Sequence, residues 1–172
     1  MSTPGTSSPA PGTPESVWDY PRPPRLEPSR RRVRVLAPDG RTIADVAPTD
    51  GLAWRVLETS HPPTYYVARS AVTDDLVRRG EGGSWCEWKG QAGYVDVLAT
   101  DGSVVVPQAA WYYRDPTPAY TDLTGALAFY PGRVRCLLDE EEVRPQAGGF
   151  YGGWITDEVT GPFKGEPGTL GW

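Results

Sequence analysis

The chain has 172 residues, 38% of them hydrophobic and 23% charged, with 22 acidic against 17 basic side chains and a formal net charge of −5. A chain of this length makes one domain that buries roughly 70% of the surface exposed when unfolded, so its core requires no disulfide or metal staple. A sequence pI near 4.9 argues against a protein that works by neutralising phosphate backbones, and no nucleic-acid partner is expected.

No segment is apolar enough to cross a bilayer and the N-terminus lacks the regions of a signal peptide, so a cytoplasmic protein with no membrane partner is expected. Cys86 and Cys136 then read as free thiols. The rings are 7 Trp and 9 Tyr against 3 Phe, mostly the kind with a polar tip that needs a partner when buried.

In chain order, Met1 to Glu15 are almost all Ser, Thr, Pro, Gly and Ala, the composition of a disordered tail. Residues 16–29 place Trp18, Tyr20 and Leu26 among prolines and read as an extended arm. The β domain is expected over 30–144. Arg32 to Leu36, a Pro38-Asp39-Gly40 turn and Arg41 to Val46 predict a first hairpin. Gln91 to Ala99, Thr100-Asp101-Gly102 and Ser103 to Val106 predict a second. Further strands are predicted at Trp54 to Glu58, Thr64 to Val67, Trp85 to Trp88, Ala109 to Tyr113, Leu127 to Tyr130 and Arg133 to Leu138. Ser70 can cap one short helix over Ala71 to Arg78, with Asp74 and Asp75 near its start. The acidic run Asp139 to Glu142 reads as a solvated hairpin tip. Residues 145–172 hold eight glycines among Phe150, Tyr151, Trp154, Ile155, Phe163 and Trp172. This pattern predicts an arm that docks its rings on its own domain or on a second copy, the latter making a homodimer.

Neither a phosphate-cradling glycine loop nor a Gly-x-Ser-x-Gly elbow occurs. Two cysteines and one histidine, His61, fall short of the four ligands of a structural zinc site, so no metal and no cofactor are expected. The densest polar and aromatic segments are Arg55 to Tyr66 and Ser84 to Gly90. In the first, the rigid Pro62-Pro63 pair holds Glu58 and His61 at a fixed separation from Tyr65 or Tyr66. Glu58 can pair locally with Arg55, and His61 reads as a loop residue or an acid–base group. In the second, a continuous strand would put Cys86 and Trp88 on one face and Trp85, Glu87 and Lys89 on the other. Cys86 reads as a small buried residue or a nucleophile, and Lys89 as a surface charge or a site cation. Trp111 and Tyr113 read first as strand packing.

These segments resemble a known family. Val56-Leu57-Glu58-Thr59 with Pro63-Thr64-Tyr65-Tyr66, Cys86-Glu87-Trp88-Lys89-Gly90, Ala109-Ala110-Trp111-Tyr112-Tyr113 with Pro116, and Ala128-Phe129-Tyr130-Pro131 are similar to the bacterial family catalogued as domain of unknown function 427, sometimes labelled a nucleotidyltransferase. The likeness spans roughly Arg32 to Arg144, and the glycine-rich arm resembles a longer subgroup. It implies a mainly β, compact, antiparallel domain similar to the β-tent fold of methionine-R-sulfoxide reductases and of the drug-binding domain of cereblon. Those relatives hold zinc through paired Cys-x-x-Cys motifs, which this chain lacks. The label finds no Asp-x-Asp and no small-residue triphosphate loop in this chain.

The function expected is a small-molecule-binding domain with an aromatic-walled pocket for a small polar or anionic ligand. Lys89 would hold the anion and Glu58 would accept hydrogen bonds, with Arg55, Tyr65, Tyr66, Trp88, Trp111, Tyr113 and Tyr130 around them. The alternatives are an enzyme on the same pocket, with Cys86 or Lys89 as nucleophile and Glu58 or His61 as base, and a structural or partner-binding module. The 11 Trp and Tyr rings between Trp54 and Tyr130 are expected to wall the cavity, with the rings of the arm covering it.

Overall fold

Alternating apolar side chains bounded by tight turns dominate the fold of this chain, as a computed structural model that describes residues 14–86, 88–148, 151–169 and 172. The strands in chain order are β1 (Glu15–Ser16), β2 (Arg25–Pro28), β3 (Val33–Leu36), β4 (Thr42–Val46), β5 (Ala53–Leu57), β6 (Thr64–Val67), β7 (Val77–Cys86) and β8 (Gly90–Leu98). They continue with β9 (Val104–Tyr113), β10 (Ala128–Phe129), β11 (Arg135–Leu138), β12 (Glu141–Glu142), β13 (Arg144–Pro145), β14 (Trp154–Ile155) and β15 (Val159–Thr160).

The protein is mainly β, in sheets that are antiparallel apart from the short β1–β15 pair, with no closed barrel among the described residues. One four-stranded sheet runs β10-β9-β8-β7, a second β12-β11-β3-β4, and a three-stranded ribbon runs β2-β5-β6. Both predicted hairpins form, β3 on β4 with Val33 opposite Val46, and β8 on β9 with Val97 opposite Val106. The main core lies between the sheets, where Val33, Val35 and Ile43 meet Val95, Val97, Phe129 and Leu138. A second cluster joins Val56 and Tyr66 to Ala92, Tyr113, Tyr120 and Leu123.

The helical segments among the described residues are 3-10 turns. The helix expected over 71–78 is reduced to two of them, Arg69–Ala71 and Asp74–Leu76. Between them Val72 bridges Ala44, and Thr73 N donates to Ile43 O at 2.8 Å. Strand pairing of this β-branched pair overrides the local helical signal, and Val77 then opens β7 opposite Val97. The strand expected at 85–88 ends at Cys86, with Trp88 and Lys89 in a turn and Glu87 outside the described residues.

Residues 1–13 of the expected tail lie outside the described residues. Glu15 departs from that expectation, because β1 pairs in parallel with β15. The C-terminal arm docks on its own domain. Trp154 is buried, its Nε1 donates to Phe129 O at 3.0 Å, and its ring lies 5.0 Å from that of Tyr65. The acidic run is the largely exposed tip of the β11–β12 hairpin, as expected, and it also carries ion pairs, since Arg31 donates to Asp139 and Glu141, and Arg34 to Glu140.

Candidate functional site

Strand alternation sorts the side chains of the β5–β6 ribbon onto two faces. Arg55 stands opposite Tyr65, whereas Trp54 stands opposite Tyr66 and Val56 opposite Thr64. The Tyr66 and Thr64 face looks into a cavity of about 290 Å³. The opposite wall comes from β7 and β9 through Ser84, Cys86, Trp111 and Tyr113, where Ser84 and Tyr113 both pair with Ala92 of β8. Trp88 and Lys89 enter from the β7–β8 turn, which Gly90 closes at a φ of 100°, a conformation that favours glycine.

Glu58, His61, Cys86 and Lys89 all line this one cavity, together with Tyr66, Trp88, Trp111, Tyr113 and Tyr130. Arg55 and Tyr65, expected to bind ligand, do not. Both point into the opposite side of the ribbon, where Tyr65 packs on Trp154 and Arg55 donates to Glu15 and Glu27. Glu58 therefore does not pair with Arg55. It lies 3.7 Å from Arg22 and 3.4 Å from Nδ1 of His61. The strand break after Cys86 likewise puts Lys89 beside Cys86 rather than on the other face.

Of the 11 rings expected around the cavity, Tyr66, Trp85, Trp88, Trp111, Tyr113 and Tyr130 line it, and Trp54, Tyr65, Tyr94, Tyr112 and Tyr120 do not. Trp111 holds the wall together, with Tyr130 at 4.6 Å and Tyr66 at 6.1 Å in an edge-on contact. Thr64, Ser84, Gln146, Tyr151 and Gly152 also line it, and sequence reasoning missed them. Thr64 was within reach of the alternation rule from Tyr66. The other signal is glycine: a Cβ on Gly152 would come within 2.3 Å of the Trp111 ring, so only glycine lets the arm close this wall. Tyr151 beside it makes an edge contact with His61 at 6.0 Å.

Lys89 is the unusual group. It is 8% exposed, and among the described residues its ammonium has neither a carboxylate within 4.0 Å nor a hydrogen bond. It faces the rings of Tyr113 at 5.8 Å and Tyr120 at 5.7 Å instead. Burial pushes its pKa down, but Tyr66, Cys86, Glu58 and Tyr120 around it outweigh burial and hold it above the ordinary lysine value. Burial pushes the phenols of Tyr66 and Tyr113 up, reinforced at Tyr113 by Tyr66 and Cys86. At neutral pH the Lys89 ammonium thus faces neutral phenols, with the Glu58 carboxyl in the lining of the same cavity. Arg133, stacked 4.1 Å from the centre of Tyr130, lies against that wall.

Among the described residues no group of three or more His, Cys, Asp or Glu side chains is placed to hold a metal ion. None of their helices is long and apolar enough to cross a membrane. No curated protein matches the chain at a significant level. A family model does match, over residues 25–140, which takes in the β2-β5-β6 ribbon, β7, β9 and Lys89. The chain belongs to the family described as domain of unknown function DUF427.

Proposed function

We propose that this protein binds a small planar organic anion, with Lys89 as its anchor and the Tyr66, Trp88, Trp111 and Tyr130 rings as the walls. The observation that carries the reading is the buried Lys89 ammonium, which among the described residues has no carboxylate within 4.0 Å, in an aromatic cavity whose lining also includes Glu58. A buried cation without a partner is costly, and an incoming carboxylate supplies the missing charge-assisted hydrogen bond. The cavity volume of about 290 Å³ sits at the lower end for small-molecule sites, which favours a single-ring or two-ring ligand. Lys89 acts here as a charge.

Benzoate and phenylacetate are the probes, read by the fluorescence of the lining Trp85, Trp88 and Trp111. Saturable quenching is expected in the native chain. Lys89→Met keeps most of the stem and removes the charge, and it is expected to weaken binding by about tenfold to a hundredfold, the worth of one hydrogen bond to a charged group. Equal affinity in the two proteins overturns the proposal. So does the absence of saturable quenching by either acid up to about 10 mM, beyond the range of a specific site.

A further inference from the structure

The β10-β9-β8-β7 sheet has a second face. Trp111 and Tyr113 point to the anion cavity, so alternation sends Tyr112 the other way. There it lines a separate cleft of about 310 Å³, with Arg69, Arg78, Arg79 and Arg114 around it and buried Val77, Val95 and Leu127 in its wall.

Four arginines around one cleft stand out in a chain with a net charge of −5. Elsewhere the arginines have partners, such as Arg32 on Asp45 and Arg144 on Asp157. Among the described residues, the guanidinium groups of Arg78, Arg79 and Arg114 are the ones with neither an ion pair nor a hydrogen bond. Asp74 neutralises Arg69 in part. Asp96 faces Arg78 across the ladder without coming within 4.0 Å, and its Oδ1 accepts from Gln108 N instead. Asp115 sits with Arg114 in an adjoining hollow.

The aromatic piece of the cleft is held in place. Tyr112 crosses Gly93 on the neighbouring strand, where a Cβ would come within 2.7 Å of its ring. The Arg79 guanidinium lies over the ring at 5.8 Å, a stacking that fixes the guanidinium plane. Planar forks free to bind two oxygens at once, beside a ring and an aliphatic wall, suit a tetrahedral oxyanion on an apolar body.

We infer that this cleft is a second binding site, for a small phosphomonoester with an apolar or aromatic body. Polymeric nucleic acid is disfavoured, because the acidic remainder of the surface repels a long polyanion.

Phenyl phosphate is titrated calorimetrically into the full chain at fixed ionic strength, with phenol and sulfate as controls. Saturable binding is expected for phenyl phosphate, weaker for sulfate and none for phenol. The double variant Arg79→Gln/Arg114→Gln, whose side chains are exposed, is expected to fold and to lose at least about tenfold in affinity, the worth of one charge-assisted pair. Lys89→Met is expected to leave this binding unchanged, which separates the cleft from the anion cavity. The inference is overturned if phenyl phosphate shows no saturable heat up to about 10 mM, if sulfate binds equally well, if the double variant binds as well as the native chain, or if Lys89→Met abolishes binding.

Discussion

Arg55→Met is expected to destabilise the fold by about 3–5 kcal/mol, the cost of removing one partner from a buried ion cluster. Arg55 is 1% exposed. It donates from Nε to Glu27 and from Nη1 and Nη2 to Glu15 at 3.3 Å, with Glu158 at 3.9 Å. Methionine fills much of the volume but leaves these acids without their buried cation, with only the more exposed Arg25, Arg30 and Arg31 beside them. Urea unfolding at neutral pH measures the loss, and a change within about 0.5 kcal/mol, the range of an ordinary surface substitution, sinks the claim.

The same cluster sets an acid limit. Burial pushes the Glu15 carboxyl up, but the hydrogen bonds from Arg55 and Tyr20 outweigh it and leave the pKa below its ordinary 4.5. A depressed carboxyl contributes stability that is present above the unfolded value and lost as pH falls through the folded one. The native chain is therefore expected to lose stability below about pH 4.5. Arg55→Met, having already lost the interaction, is expected to lose less over the same interval, so the two unfolding curves should converge in acid.

Trp154→Ala is expected to cost about 3–5 kcal/mol, typical of truncating a large buried ring. The native ring is 1% exposed, it packs on Tyr65, and its Nε1–H bonds Phe129 O, which the truncation leaves without that donor. Its backbone also fastens the arm, donating to Pro63 O and pairing with Pro145. Because that arm brings Tyr151 and Gly152 to the cavity wall, benzoate affinity is expected to fall together with stability, and limited proteolysis should release the segment after Pro145. A variant that keeps its unfolding midpoint and resists cleavage would show that the arm adds nothing to the fold.

Local patterns in the sequence carried the strands and much of the cavity. Hairpins at 33–46 and 90–113 follow from alternation and Asp-Gly turns, which act over a few residues. Lys89, Glu58 and the Trp111 wall stood out because polar residues sat among rings. What was illegible depended on distance along the chain. The acids that claim Arg55 come from positions 15, 27 and 158, and no local pattern announces such partners. The misplacement of Tyr65 had a simpler cause, since alternation with Tyr66 had to put one of the two rings on the wrong side. The assignment of Lys89 to the face away from Cys86 assumed a strand running through residue 89, where a turn ends it. The Arg79 and Arg114 cleft was hidden for a related reason, because its members meet only when β7, β8 and β9 stand side by side.

The pairing of β1 with β15 has a kinetic meaning. Glu15 and Ser16 pair with Val159 and Thr160, and the Trp18 indole donates to the carbonyl of Pro162, 144 residues on. Closing so large a loop is entropically slow, and contacts of high sequence separation lower folding rates. Glu15 and Glu158, which reach Arg55 from these same strands, are set in place by this closure. Arg55 therefore gains Glu15 and Glu158, and the cavity gains Gln146, Tyr151 and Gly152, only once this long-range closure has formed, so completion of the cavity wall is a late step in folding.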